Sequence, residues 1–145
     1  MTDTLMKLLL VLGLILLVLT FVRSSFAQAG NSPRITPTEA AAKVKAGDAV
    51  IIDVREPREW ENGVASPAYL LPLSDLRDGR RKWGHVLEDA KDKQVLLYCR
   101  SGNRSGIAAG ILAKEGFDVA NVGGFRDWQA ADLPVRQPDE PATLE

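Results

Sequence analysis

The chain has 145 residues, 46% of them apolar and 26% charged, with 18 basic against 19 acidic side chains and a formal net charge of −1. That length fits one domain of ordinary globular composition, and the balanced charge excludes a global basic field for nucleic acid. With one cysteine and one histidine in total, no Cys/His cluster has metal-ligand spacing.

The first element is an apolar run from Leu8 to Val22, broken only by Gly13 and Thr20 and flanked by Lys7 and Arg23. Its fifteen residues would span about 22 Å as a helix, short of a ~30 Å hydrocarbon core. A weakly positive start, a short apolar stretch and small residues at Ala27-Gln28-Ala29, with Ser25-Phe26-Ala27 as a second candidate, describe a secretory signal peptide. The alternative is an uncleaved anchor, since Asp3 opposes Lys7 and Leu5 and Met6 lengthen the apolar span. A buried core helix fits least, because the run has no polar face. Both leading readings make residues 1–29 an export segment and place residues 30–145 across a membrane, in the periplasm if the source is bacterial. Membrane contact is then confined to residues 1–29, and only if they are retained. Removing them takes away Lys7, Arg23 and Asp3 and leaves a net charge of −2.

Thr36-Pro37-Thr38-Glu39 predicts an N-cap, a proline at the first helical position and a capping box. The helix runs through Ala46 and stops at Gly47. Ala49–Val54 is a continuous apolar run with β-branched residues, suited to a strand buried on both faces of a parallel sheet. A short helix over Pro57–Glu61 and a strand at Tyr69–Leu71 follow. Asp75–Ala90 is helical in part, interrupted by Gly79 and Gly84. Gln94–Tyr98 is a second buried strand, Arg104–Glu115 a helix with one apolar face, and Asp118–Val122 a further strand. Gly123-Gly124 reads as a turn and Phe125–Ala130 as a last short helix. Residues 30–135 form the domain, and 136–145 a flexible tail. Alternating strands and helices predict an α/β fold, a parallel sheet covered on both faces, with its ligand beyond the carboxyl ends of the strands.

The loop after Tyr98 is such an end, and it carries the chemistry. In Cys99-Arg100-Ser101-Gly102-Asn103-Arg104-Ser105 the cysteine leaves a buried strand. Gly102 allows the positive φ that curls the loop, and the curl turns successive N–H groups inward as an anion nest. The following helix adds its N-terminal N–H groups, and Arg100 and Arg104 add charge. Together these favour the thiolate, the nucleophilic form of cysteine. The bland reading, an inert buried cysteine, fits poorly with polar, glycine-containing flanks and an exported, unpaired thiol.

Residues 34–135 resemble a single-domain rhodanese, a sulfurtransferase family. The matching pieces are Asp53-Val54-Arg55-Glu56-Pro57-x-Glu59-Trp60, Gly63, Pro72-Leu73, Cys99-Arg100-Ser101-Gly102-x-Arg104-Ser105, Gly123-Gly124-x-x-x-Trp128 and Leu133-Pro134-Val135. The resemblance implies a three-layer rhodanese-like domain behind an N-terminal hydrophobic helix. It implies that Cys99 takes sulfur from thiosulfate or another sulfane donor as a persulfide and passes it to cyanide, a thiol or a partner protein. It makes the N–H groups of residues 100–105 the persulfide cradle, with Arg104 shaping the loop and attracting anionic donor and Arg100 tuning donor choice. Asp53 and Arg55 become structural clamps, and no cofactor or metal is implied. One departure stands out: where the family usually has His-Ile-Pro-Gly-Ala after the glycine, this chain has Val64-Ala65-Ser66-Pro67-Ala68.

A phosphatase or arsenate reductase of the Cys-loop-Arg kind typically spaces Cys and Arg by five residues, to cradle a tetrahedral oxyanion. Here four residues lie between Cys99 and Arg104, and a reductase would also need a second cysteine. A non-catalytic or partner-dependent persulfide relay would use the same loop and stays open as the alternative. The basic run Arg77, Arg80, Arg81 and Lys82 reads as a solvated face, and His85 as helix packing rather than a base. Trp60, Trp83 and Trp128 read as packing residues, with Trp128 at the crevice wall.

Overall fold

The computed structural model describes residues 5–13 and 32–143. The chain divides into two compact units, Met1–Gly30 and Asn31–Glu145. In the first, residues 5–13 form helix α1 with exposed side chains. Among the described residues no helix is long and apolar enough to cross a membrane. The rest of the apolar run and both candidate cleavage sites lie outside the described residues.

The second unit starts with α2 (Pro37–Lys45), β1 (Ala49–Asp53), α3 (Pro57–Trp60), β2 (Val64–Ala65) and β3 (Tyr69–Leu70). It continues with α4 (Leu73–Arg77), α5 (Trp83–Asp89), β4 (Gln94–Cys99), α6 (Asn103–Lys114), β5 (Val119–Gly124), α7 (Phe125–Ala130) and β6 (Val135–Arg136). The expected capping box opens α2: the Glu39 N–H donates to Thr36 Oγ1 and the Thr36 N–H to Glu39 Oε2. Four strands form one parallel sheet in the order β3-β1-β4-β5. All five residues of β1 are buried, as a doubly covered central strand requires.

Alternation along the strands sorts the core into two layers. Val50, Ile52, Val95, Leu97 and Cys99 face α4, α5 and α6, packing with Trp83, Ala108 and Leu112. Ala49, Ile51, Leu96 and Tyr98 face α2 and α7, packing with Ala40, Val44, Phe125 and Trp128. Parity therefore sends Cys99 to the side where α6 begins and sends Tyr98 to the opposite side.

Three expectations are corrected. Gly123 and Gly124 are the last residues of β5, paired with Tyr98 and Cys99, and do not form a turn. A side chain at Gly124 would bring its Cβ to 2.7 Å from the Arg100 carbonyl oxygen, so the glycine serves close packing. Residues 136–143, the described part of the expected flexible tail, are fastened to the domain. Strand β6 pairs antiparallel with β2, and the Arg136 guanidinium donates to the carbonyls of Ser66, Ala68, Gln137, Pro138 and Glu140. Thr143 then hydrogen-bonds Ser66 through both backbone and hydroxyl. Trp128, expected at the crevice wall, is a core residue 1% exposed whose Nε1 donates to the Pro134 carbonyl.

Candidate active site

Cys99 is the last residue of β4 and Gly102 is the N-cap of α6. Gly102 takes φ 92°, a left-handed conformation that side chains resist. The two intervening residues turn so tightly that the Gly102 N–H points back at the sulfur, 3.1 Å from Cys99 Sγ. The Ser105 hydroxyl, one turn into α6, lies 3.5 Å from the same sulfur. Cys99 is 1% exposed, so the sulfur is enclosed by its own loop. Burial works against the thiolate, yet hydrogen bonds from the Ser105 hydroxyl and from the N–H groups of Ser105, Ser101 and Gly102 outweigh it. The thiol pKa is thereby lowered.

Asn121, on β5, holds this cradle from behind; sequence reasoning missed it. Its Nδ2 donates to the Gly102 carbonyl at 2.8 Å, and its Oδ1 accepts from the Ser105 hydroxyl at 2.8 Å and from the Gly123 N–H at 3.0 Å. The side chain is 6% exposed, so the carboxamide is a fixed post. The Ser105 hydroxyl carries one proton, which it gives either to Asn121 or to the sulfur. An asparagine inside an apolar strand was the available signal, since a buried polar group demands partners.

Arg104 is tied to α3. Its guanidinium makes a two-pronged pair with Glu59 of α3, at 2.6 and 2.7 Å, and Arg104 holds the Glu59 carboxyl down to about 2. The charge expected to attract a donor anion is thus largely spent tying the loop to α3. Asp53 and Arg55 form a buried clamp. Arg55 Nε and Nη2 bind the Asp53 carboxylate at 2.6–3.0 Å, and the same guanidinium donates to the carbonyls of Glu59 and Gly63. It lies 4.3 Å above the Phe125 ring. Arg55 thus anchors both α3, which carries Glu59, and the segment after Gly63. In that segment, where the family pattern is lost, the Ala65 N–H donates to the buried Tyr98 hydroxyl at 3.0 Å. Burial first, and the neighbouring Asp53 carboxylate second, push the Tyr98 pKa well up, so the phenol stays neutral.

Arg100, Ser101 and Asn103 are exposed. Arg100 lines a pocket of about 360 Å³ together with Arg55, Glu59, Asn62, Phe125 and Arg126. His85 is exposed on α5. Of the basic run, Arg80 pairs with Glu115 and Lys82 is exposed.

A parallel α/β domain whose enclosed thiol sits in a short loop of inward N–H groups at a strand end defines a class of sulfur-handling proteins. A family model described as the rhodanese-like domain matches residues 36–131, and the chain belongs to that family. It is 40% identical over 99 residues to the uncharacterized protein YqhL of Bacillus subtilis, an alignment covering 66% of this chain and 74% of that one. It is 33% identical over 94 residues to a protein of Allochromatium vinosum named sulfurtransferase, covering 63% of this chain and 82% of the relative. The crystal structure of a rhodanese-related protein from Thermoplasma volcanium superposes with a TM-score of 0.61 at 30% identity, over 72% of this chain and 98% of the other. At the level of the family, the activity is sulfur transfer.

Proposed function

We propose that the protein moves sulfane sulfur from thiosulfate or a similar anionic donor to a thiol or cyanide acceptor, through a persulfide on Cys99. The Cys99 thiolate attacks the outer sulfur of thiosulfate. A new S–S bond forms, the old one breaks, and sulfite leaves with the electron pair, so charge and atoms balance and no external oxidant enters. The acceptor then removes the outer sulfur and restores the thiolate. The observation that carries this reading is the enclosed Cys99 sulfur with the Gly102 N–H 3.1 Å and the Ser105 hydroxyl 3.5 Å away, a loop of donors aimed at one atom. Donors aimed at sulfur favour an anion there in both resting and persulfide forms. The loop's shortness supports one sulfur atom as cargo over a tetrahedral oxyanion. The reading includes export by residues 1–29, with the domain working across a membrane, as their apolar run and small residues suggest.

Intact mass after thiosulfate tests the proposal. A gain of about 32 Da, one sulfur atom at the nucleophile, is expected, reversed by cyanide and absent in Cys99→Ser, which keeps the fold. Absence of the gain, with the thiol still alkylatable, would refute transfer from small donors and favour a relay that works only with a docked protein.

A further inference from the structure

The connector ahead of α2 is fastened to the residue that holds the catalytic loop. The Asn121 N–H donates to the Pro33 carbonyl at 2.8 Å, and the Ile35 N–H donates to the Asn121 carbonyl at 3.2 Å. Arg34 thereby forms a parallel bridge with Asn121 on the outer edge of β5. Asn121 takes the connector by its backbone and holds Gly102 and Ser105 by its side chain. The Arg34 backbone is therefore fixed relative to the cradle on both sides of its side chain.

That side chain lies over the loop itself. Arg34 Nη2 stands 2.7 Å from where a Cβ on Gly102 would be. The Gly102 nitrogen is 3.1 Å from Cys99 Sγ, so bond lengths place this guanidinium no further than about 9 Å from the sulfur. Arg34 is exposed and, among the described residues, makes no ion pair or side-chain hydrogen bond. The other charges on the elements around Cys99 are differently placed. Arg104 of α6 is paired with Glu59 of α3, and Arg55 with Asp53 of β1. Glu56 binds Ser74, Asp75 of α4 accepts the Lys82 N–H, and Asp127 of α7 accepts the Gly124 N–H. Arg100 is exposed and extends along the pocket shared with Glu59 and Arg126. Arg34 is the unpaired cation that the fold packs against the loop at Gly102.

We infer that Arg34, delivered by the connector before α2, supplies the positive field that holds the anionic sulfur of Cys99, a part that the sequence assigned to Arg100 and Arg104. The inference rests on the sulfur-transfer reading above. Arg34 does not touch the reacting atoms; it acts by charge at a distance. It therefore adds to the loop N–H groups, which act by contact. Two unit charges about 9 Å apart move a titration by about 0.3 pH unit in water and by about 1.3 at an effective dielectric of about 20. An exposed guanidinium belongs in the lower half of that span. The fastening at Asn121 gives the effect a fixed distance, because the connector and the cradle move together or not at all.

The test is the pH profile of Cys99 alkylation by iodoacetamide in the full-length protein, at low salt and at about 1 M salt. At low salt the midpoint should rise by about 0.5 pH unit in Arg34→Gln and about 1 in Arg34→Glu, and stay near wild type in Arg34→Lys. At about 1 M salt, where the screening length is about 3 Å, these shifts should fall to less than half. Lys45→Glu, on the α2 side of the sheet away from Cys99, should leave the midpoint in place. If charge reversal unfolds the chain, Arg34→Gln carries the test. A midpoint unmoved in Arg34→Glu, or moved equally by Lys45→Glu, would overturn the inference. So would a shift that persists at high salt, because Arg34 would then only hold the shape of the loop. Alkylation needs no sulfur donor, so these outcomes stand apart from the reading above. That reading fails if wild-type protein gains no mass after thiosulfate, whatever its alkylation profile.

Discussion

Ser105→Ala separates two possible states of the catalytic loop. The Ser105 hydroxyl stands 2.8 Å from Asn121 Oδ1 and 3.5 Å from Cys99 Sγ, and its single proton serves one of them at a time. When the thiol ionises, the sulfur becomes the stronger acceptor and the proton turns to it. A hydrogen bond to a charged group is worth about 1.5 kcal/mol, so its loss should raise the thiol pKa by about one unit. At a pH below both midpoints the thiolate fraction then falls about tenfold. Intrinsic nucleophilicity rises with basicity, with a slope of about 0.4–0.5, which returns roughly a factor of three. Alkylation by iodoacetamide should therefore slow by about threefold at low pH and reach its plateau about one pH unit later. The Gly123 N–H still reaches Asn121 Oδ1 in the variant, so the fold should survive with a loss of about 1 kcal/mol. An unshifted alkylation profile would refute the reasoning, because it would mean that the proton stays on Asn121 whatever the state of the sulfur.

Two further outcomes follow from close contacts in the same region. Gly124→Ala should lower stability by about 1–3 kcal/mol in urea unfolding, as over-packing does, and should slow persulfide formation. Its Cβ would stand 2.7 Å from the Arg100 carbonyl oxygen and 3.2 Å from Asp127 Oδ2, which forces the catalytic loop to move. The Glu59–Arg104 pair predicts an acid dependence. The Glu59 carboxyl is held at about 2, from an ordinary 4.5, so its contribution is complete above pH 4.5 and lost as pH falls through 2. For a pair 22–29% exposed that contribution is about 1–2 kcal/mol after allowance for solvent. The stability gap between wild type and Glu59→Gln should close over that interval; a gap independent of pH would contradict the pairing.

Much of the frame was legible because it depends on short-range pattern. The apolar runs at Ala49–Val54 and Gln94–Tyr98 mark strands covered on both faces. Thr36-Pro37-Thr38-Glu39 marks a helix start, and Gly102 marks a left-handed turn between strand and helix. The turn that aims an N–H at the sulfur closes over a separation of three residues, so local sequence was enough to locate Cys99 and its loop. Gly123-Gly124 misled, because a glycine pair makes turns and also allows close backbone packing, and local sequence does not separate the two.

What tertiary structure decided were contacts between residues far apart in the chain. Arg104 and Glu59, 45 positions apart, meet because α3 and the catalytic loop follow the neighbouring strands β1 and β4. Asn121 reaches Gly102 across the β4–β5 pairing. Arg126 comes beside Arg100 because Cys99 and Gly124 are register partners. Sequence alone determined where a reactive thiol would stand and which backbone would surround it. Strand order and register decided which charges are cancelled near it and which stay free, because electrostatic pairing depends on distance in space.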